Sequence, residues 1–74
     1  MTKEKITLKN LRDENKKSRA EVARALGVTS NAVTNYESGI RRISLEQILI
    51  LAEVYQVSEK EIIQAQLNSR PNDQ

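Results

Sequence analysis

The chain has 74 residues, enough for one domain, and surface-to-volume scaling lets such a domain bury about 60% of its unfolded surface. It is 38% hydrophobic, 3% aromatic and 30% charged, the balance of a soluble helical domain, and it contains neither cysteine nor histidine. That absence excludes a disulfide framework, most zinc sites, the thiol nucleophile and the commonest general base, so no metal, no cofactor and no catalytic residue is expected. No apolar run approaches the roughly 18 residues of a membrane span, and the start Met-Thr-Lys-Glu-Lys lacks the apolar stretch of a signal peptide, so a cytoplasmic location without membrane contact is expected.

Net charge is only +2, but it is unevenly spread. Through Ser44, ten Lys and Arg residues face five acids, a balance of +5; from Leu45 onward, two basic residues face five acids, a balance of −3. A basic half and an acidic half suit a chain that meets a polyanion with one end, although solvated helices of mixed charge give the same count with no partner implied.

In chain order, residues 1–7 form a short basic segment ending at Thr7, the N-cap of a helix predicted from Leu8 to Lys16 with Leu8 and Leu11 on its inner face. Ser18-Arg-Ala-Glu21 is a capping box, in which hydroxyl and carboxylate each satisfy a free backbone N–H; Val22, Ala23 and Leu26 then supply a buried face, and Gly27 ends the second helix. Thr29 caps a third helix that runs to about Ser38 and stops at Gly39. Two short helices so closely joined, apolar on their facing sides, fit the description of a helix-turn-helix. The loop Ile40-Arg41-Arg42-Ile43 follows. Ser44-Leu-Glu-Gln47 then opens a fourth, core helix with Leu45, Ile48, Leu49, Leu51, Ala52 and Tyr55 at three- and four-residue spacing. Ser58-Glu-Lys-Glu61 starts a last helix carrying Ile62 and Ile63, and residues 68–74, with nothing to bury, are expected to form a flexible polar tail. The fold class is therefore all-α, with five helices in a domain spanning residues 8–67.

The third helix carries most of the functional information. At about 100° per residue, Ser30, Asn31, Thr34 and Asn35 fall within about 140° of one another, while Ala32, Val33 and Tyr36 occupy the opposite side at about 200° to 300°. A helix held by its apolar back presents short, uncharged hydrogen-bonding groups outward, the kind that reach base edges in a major groove. Arg41 and Arg42, directly after it, suit phosphate oxygens or the adjacent minor groove.

The run from Leu8 to Ile63 resembles the helix-turn-helix domain of phage repressors and Cro proteins, the lambda-repressor-like or XRE family. The resemblance rests on Leu8-x-x-Leu11-Arg12, on Ser18-x-x-Glu21-Val22-Ala23-x-x-Leu26-Gly27-Val28, and on Val33-x-x-Tyr36-Glu37-x-Gly39. It continues through Ser44-Leu45-x-x-Ile48-x-x-Leu51-Ala52 and Val57-Ser58. Each motif alone is weak; their order and spacing together are specific.

The resemblance implies a compact five-helix fold whose third helix enters the major groove of double-stranded DNA, commonly as a homodimer on a near-palindromic operator. It implies base contacts by Ser30, Asn31 and Asn35 with Thr34 beside them, and backbone or flanking contacts near Ser18, Arg19, Thr29, Ser38, Arg41 and Arg42. Arg19 stands where relatives commonly have glutamine. Arg12 and Glu37 match positions that form a structural ion pair between the first and third helices of relatives. Relatives often carry glycine and then an apolar residue where this chain has Lys16 and Lys17. Ile40, Ile43 and Ile50 depart from the usual pattern, either as scattered surface residues or as part of a partner surface; Ile50, Ile63 and Leu67 are the dimer candidates. The expected function is sequence-specific transcriptional regulation, as a repressor, without enzymatic activity. The alternative is a protein-interaction module, such as the antitoxin of a toxin–antitoxin pair, with DNA binding secondary.

Overall fold

Helices in this protein begin where a hydroxyl side chain can accept the backbone N–H that a first helical turn leaves free. The structure, a computed structural model, describes residues 6–69. Five helices follow in order: α1 (Leu8–Glu14) capped by Thr7, α2 (Arg19–Leu26) by Ser18, α3 (Ser30–Glu37) by Thr29, α4 (Leu45–Tyr55) by Ser44 and α5 (Glu59–Asn68) by Ser58. Among the described residues there is no strand. Four of the five caps are reciprocal boxes, because Asn10, Glu21, Gln47 and Glu61 each return a side-chain acceptor to the capping residue's own N–H.

The first helix stops two residues before the predicted end at Lys16. Asn15 folds back, its Nδ2 donating to the Leu11 carbonyl at 2.8 Å, and Lys16 takes a left-handed conformation with φ 56°. A side chain there costs about 1 kcal/mol that glycine would not, so the lysine carries a local strain. Gly27 makes the same left-handed stop, φ 74°, at no such cost, and Val28 N–H closes the end of α2 on the Ala23 carbonyl at 2.9 Å.

One apolar face from each helix meets in the core: Leu8 and Leu11, Val22 and Ala23, Ala32, Val33 and Tyr36, Ile48, Leu51 and Tyr55, Ile62 and Ala65. Ile62, Val22 and Val33 are almost completely enclosed, and Leu26 packs at the margin. The fourth helix corrects its predicted inner face. Leu45 is 74% exposed and Leu49 48% exposed, so only Ile48, Leu51 and Tyr55 are buried, with Ala52 partly covered. Hydrophobic spacing alone could not separate these residues, because Leu45 and Leu49 lie one turn apart on a flank of the same helix that stays exposed among the described residues. Ile43, one of the three unplaced isoleucines, is a core residue; its N–H donates to Gln66 Oε1 at 2.6 Å, which ties the loop before α4 to α5. Ile40 remains 70% exposed and Ile50 is half-buried.

The predicted flexible tail also begins too early. Asn68 is helical, and its Nδ2 donates to the Ile6 carbonyl at 2.8 Å. Ser69 is buried: its Oγ accepts the Leu8 N–H at 3.0 Å and donates to the Ala65 carbonyl at 2.7 Å. A polar residue at the end of α5 thus completes the first turn of α1, 61 positions earlier. The rest of the expected tail, residues 70–74, and residues 1–5 of the expected basic segment lie outside the described residues.

Candidate nucleic-acid interface

The third helix is anchored through its back. Ala32, Val33 and Tyr36 are buried, and the Tyr36 hydroxyl accepts from Gln47 Nε2 at 3.2 Å, which links α3 to the first turn of α4. The turn from α2 is only Gly27, Val28 and Thr29, and α2 and α3 pack directly together. A helix fixed in this way can present its other face without moving.

That face carries Ser30, Asn31 and Thr34, all exposed, and Asn35, half-buried. Among the described residues, neither the Asn31 nor the Asn35 side chain hydrogen-bonds to the protein, so each keeps both a donor and an acceptor for a ligand. Thr34 is more committed, since its hydroxyl donates to the Ser30 carbonyl at 3.3 Å. Ser38 is turned inward in the same manner, its hydroxyl donating to the Thr34 carbonyl at 2.6 Å. Thr29 is occupied as an acceptor by the Ala32 N–H at 3.1 Å, and Ser18 by the Glu21 N–H at 3.1 Å. These two caps leave the first N–H groups of α2 and α3 pointing out of the helix ends, where the helix dipole favours an anion. The Glu21 carboxyl lies below the usual carboxylate range because the Ser18 N–H stabilises its ionised form.

The loop after α3 is held to the helix rather than hanging free. The Asn35 carbonyl accepts both the Ile40 N–H at 3.0 Å and the Arg41 N–H at 3.3 Å, and Gly39 turns the chain with φ 82°. Arg41 and Arg42 are both exposed beside the end of the helix.

Beneath this surface lies a charged cluster. Arg12 is 8% exposed; its Nε donates to Glu37 Oε2 at 2.6 Å, its Nη2 to Glu37 Oε1 at 3.3 Å and its Nη1 to the Lys17 carbonyl at 3.1 Å. The hydrogen bond to Glu37 outweighs burial and holds the Arg12 guanidinium protonated above its ordinary range. Glu37 reaches a second cation, since Arg19 Nε stands 3.5 Å from its Oε1. The Arg19–Glu37 contact joins two groups that sequence reading placed in separate roles. The only signal available for it was the replacement of the usual glutamine by arginine at position 19.

The dimer candidates do not form a single patch of equal exposure. Ile63 is 43% and Leu67 47% exposed, one turn apart on α5, whereas Ile50 is half-buried. No helix among the described residues is long and apolar enough to cross a membrane.

Comparison with curated proteins and with solved structures returned no match. A protein-family model described as "Helix-turn-helix" matches residues 8–62, which takes in all of α1 to α4 and the first turn of α5. With the tight α2–α3 turn, the anchored third helix and the five-helix all-α architecture, this match establishes that the chain belongs to the helix-turn-helix family of the lambda repressor and Cro (XRE) type, a family of DNA-binding transcription-regulator domains.

Proposed function

We propose that the protein is a transcriptional repressor that binds a near-palindromic operator as a homodimer. The observation that carries this reading is the outward stripe of α3, where Asn31 and Asn35 stand with amides unpaired among the described residues, on a helix locked by Ala32, Val33 and Tyr36. Asparagine can pair bidentately with adenine through N6 and N7, and Ser30 adds a less selective hydroxyl. Thr34 fills the stripe between them. The helix ends at Ser18 and Thr29 and the exposed Arg41 and Arg42 would meet phosphates, which fix register without reading sequence. Ser38, whose hydroxyl is spent on the Thr34 carbonyl, would contribute through its place at the helix end.

Two copies joined by a twofold axis would set their third helices about 34 Å apart in successive major grooves. Ile63 and Leu67 supply an exposed apolar stripe on α5 suited to that contact, and Ile50 on α4 is the third, half-buried candidate. Repression then follows from occupancy of a promoter by a small domain.

Asn35→Ala tests the base-reading role. Loss of one bidentate contact lowers affinity for the preferred site by about 1–3 kcal/mol while affinity for random duplex stays within error. Titration of both DNAs by fluorescence anisotropy checks this, and an equal loss on the two would remove Asn35 from base readout.

A further inference from the structure

Glu37 is a buried carboxylate with two guanidinium partners of unequal kind. Its side chain is 8% exposed; the Arg12 side chain beside it is 9% exposed and the Arg19 side chain 46% exposed. Arg12 binds at 2.6 Å and uses all three of its nitrogens inside the protein. Arg19 approaches at 3.5 Å, with Nε towards Glu37 Oε1. Asp13 Oδ1, 3.8 Å from Arg12 Nη1, adds a second carboxylate on the Arg12 side of the cluster, so Arg19 is the more exposed and more loosely held of the two cations. Among the described residues, Arg19 Nη1 and Nη2 make no hydrogen bond, and Glu37 is the one acid paired with this side chain. Arg19 is also the first residue of α2, immediately after the Ser18 cap.

We propose that Glu37 is a positioning residue for Arg19, holding its guanidinium by the Nε edge so that the two terminal amino groups face a DNA phosphate as a fork. This assignment rests on the DNA-binding reading above and deepens it at one contact. A guanidinium has distinct edges, so it can be gripped from one side and still offer two parallel donors on the other. An ammonium has one nitrogen. A lysine at position 19 would be drawn to the carboxylate and would have no second donor atom with which to meet phosphate. The same carboxylate thereby connects the buried pair that joins α1 to α3 with the start of α2, and the clamp inherits the rigidity of the core.

The test is binding of a duplex oligonucleotide by the full chain, measured across a salt series for wild type, Arg19→Ala, Arg19→Lys, Glu37→Gln and both Arg19 variants combined with Glu37→Gln, all below their melting temperatures. With Glu37 present, Arg19→Lys behaves like Arg19→Ala: the salt slope falls by about 0.9, so a fourfold rise in salt costs either variant about 3.5-fold less affinity than it costs wild type. Without the carboxylate the lysine is released, and Arg19→Lys with Glu37→Gln binds more tightly than Arg19→Ala with Glu37→Gln. A purely structural Glu37 would not make lysine useless in one background and useful in the other. Wild-type slope for Arg19→Lys, or for Arg19→Ala, overturns the proposal even if no Glu37→Gln variant folds. Failure of the wild-type chain to bind duplex at low salt overturns the DNA-binding reading itself, a different result.

Discussion

Ser69→Ala removes one oxygen from the end of α5, and its effect should be felt at the start of α1. In the native protein the Ser69 hydroxyl accepts the Leu8 N–H at 3.0 Å, and Leu8 is 2% and Ser69 8% exposed. The Ala65 carbonyl, which accepts from that hydroxyl, keeps the Ser69 N–H at 3.0 Å and so stays satisfied in the variant. The Leu8 N–H does not: it is left buried and unpaired, which costs about 1–3 kcal/mol. A domain of this size has a total stability of about 4–11 kcal/mol, so the loss is a substantial fraction. At about 2 kcal/mol the melting temperature falls by about 8–16 °C. Circular dichroism melts and urea titrations of Ser69→Ala beside Ser58→Ala provide the comparison. Ser58 caps an exposed helix start, where water can replace the hydroxyl, so its loss costs about 1 kcal/mol and should not exceed that of Ser69. A Ser69→Ala protein within about 0.5 kcal/mol of wild type would mean that the Leu8 N–H finds another partner at no cost, and that Ser69 does not hold the start of α1.

Arg12→Met strands the Glu37 carboxylate in a buried site and should destabilise the fold by about 3–5 kcal/mol in urea titrations, with much of the loss recovered when Glu37→Leu is added; a cost below about 1 kcal/mol would show that Arg19 has taken over the pair. Alkaline pH supplies a further check. Burial pushes the Tyr55 phenol well above its ordinary value of 10.0, with the Glu37 charge adding to the effect. A raised native pKa means that stability is intact below the unfolded phenol's pKa and is lost as pH climbs towards the native one. Tyr55→Phe should therefore lose less stability than wild type between about pH 9 and about pH 11; parallel curves for the two would show that the phenol is not the cause.

Much of the fold was legible because its punctuation is local. Ser18, Thr29, Ser44 and Ser58 mark helix starts through contacts within three residues, and Gly27 and Gly39 mark stops through backbone freedom, so short stretches carry the information. The stripe from Ser30 to Asn35 was legible for a similar reason, as helical periodicity separates it from Ala32, Val33 and Tyr36 without reference to the rest of the chain. What could not be read depends on distant partners. Leu45 and Leu49 have core spacing but stay exposed, and Ile43, which sits in a loop, is buried in the core with its N–H bonded to Gln66 on α5. Ser69 looks like the start of a polar tail until Leu8 is placed beside it. Arg19 reads as a DNA-flanking cation without a protein partner until Glu37, 18 positions later, is folded within reach. Lys16 shows the limit of a local rule: the left-handed stop forms without the glycine that usually announces it, with Asn15 and the Lys17 N–H bond to the Arg12 carbonyl supporting the turn.

If the outward face of α3 reads DNA sequence in a twofold assembly, the duplexes that the protein prefers share one symmetric pattern. Selection of bound duplexes from a random pool, with sequencing of the enriched fraction, tests it most directly. The predicted result is a near-palindromic consensus with half-sites centred about 10 base pairs apart, and loss of one conserved position in each half-site when Asn35→Ala is used for the selection. No enrichment at low salt would contradict it and would leave a protein-interaction module as the better reading of this chain.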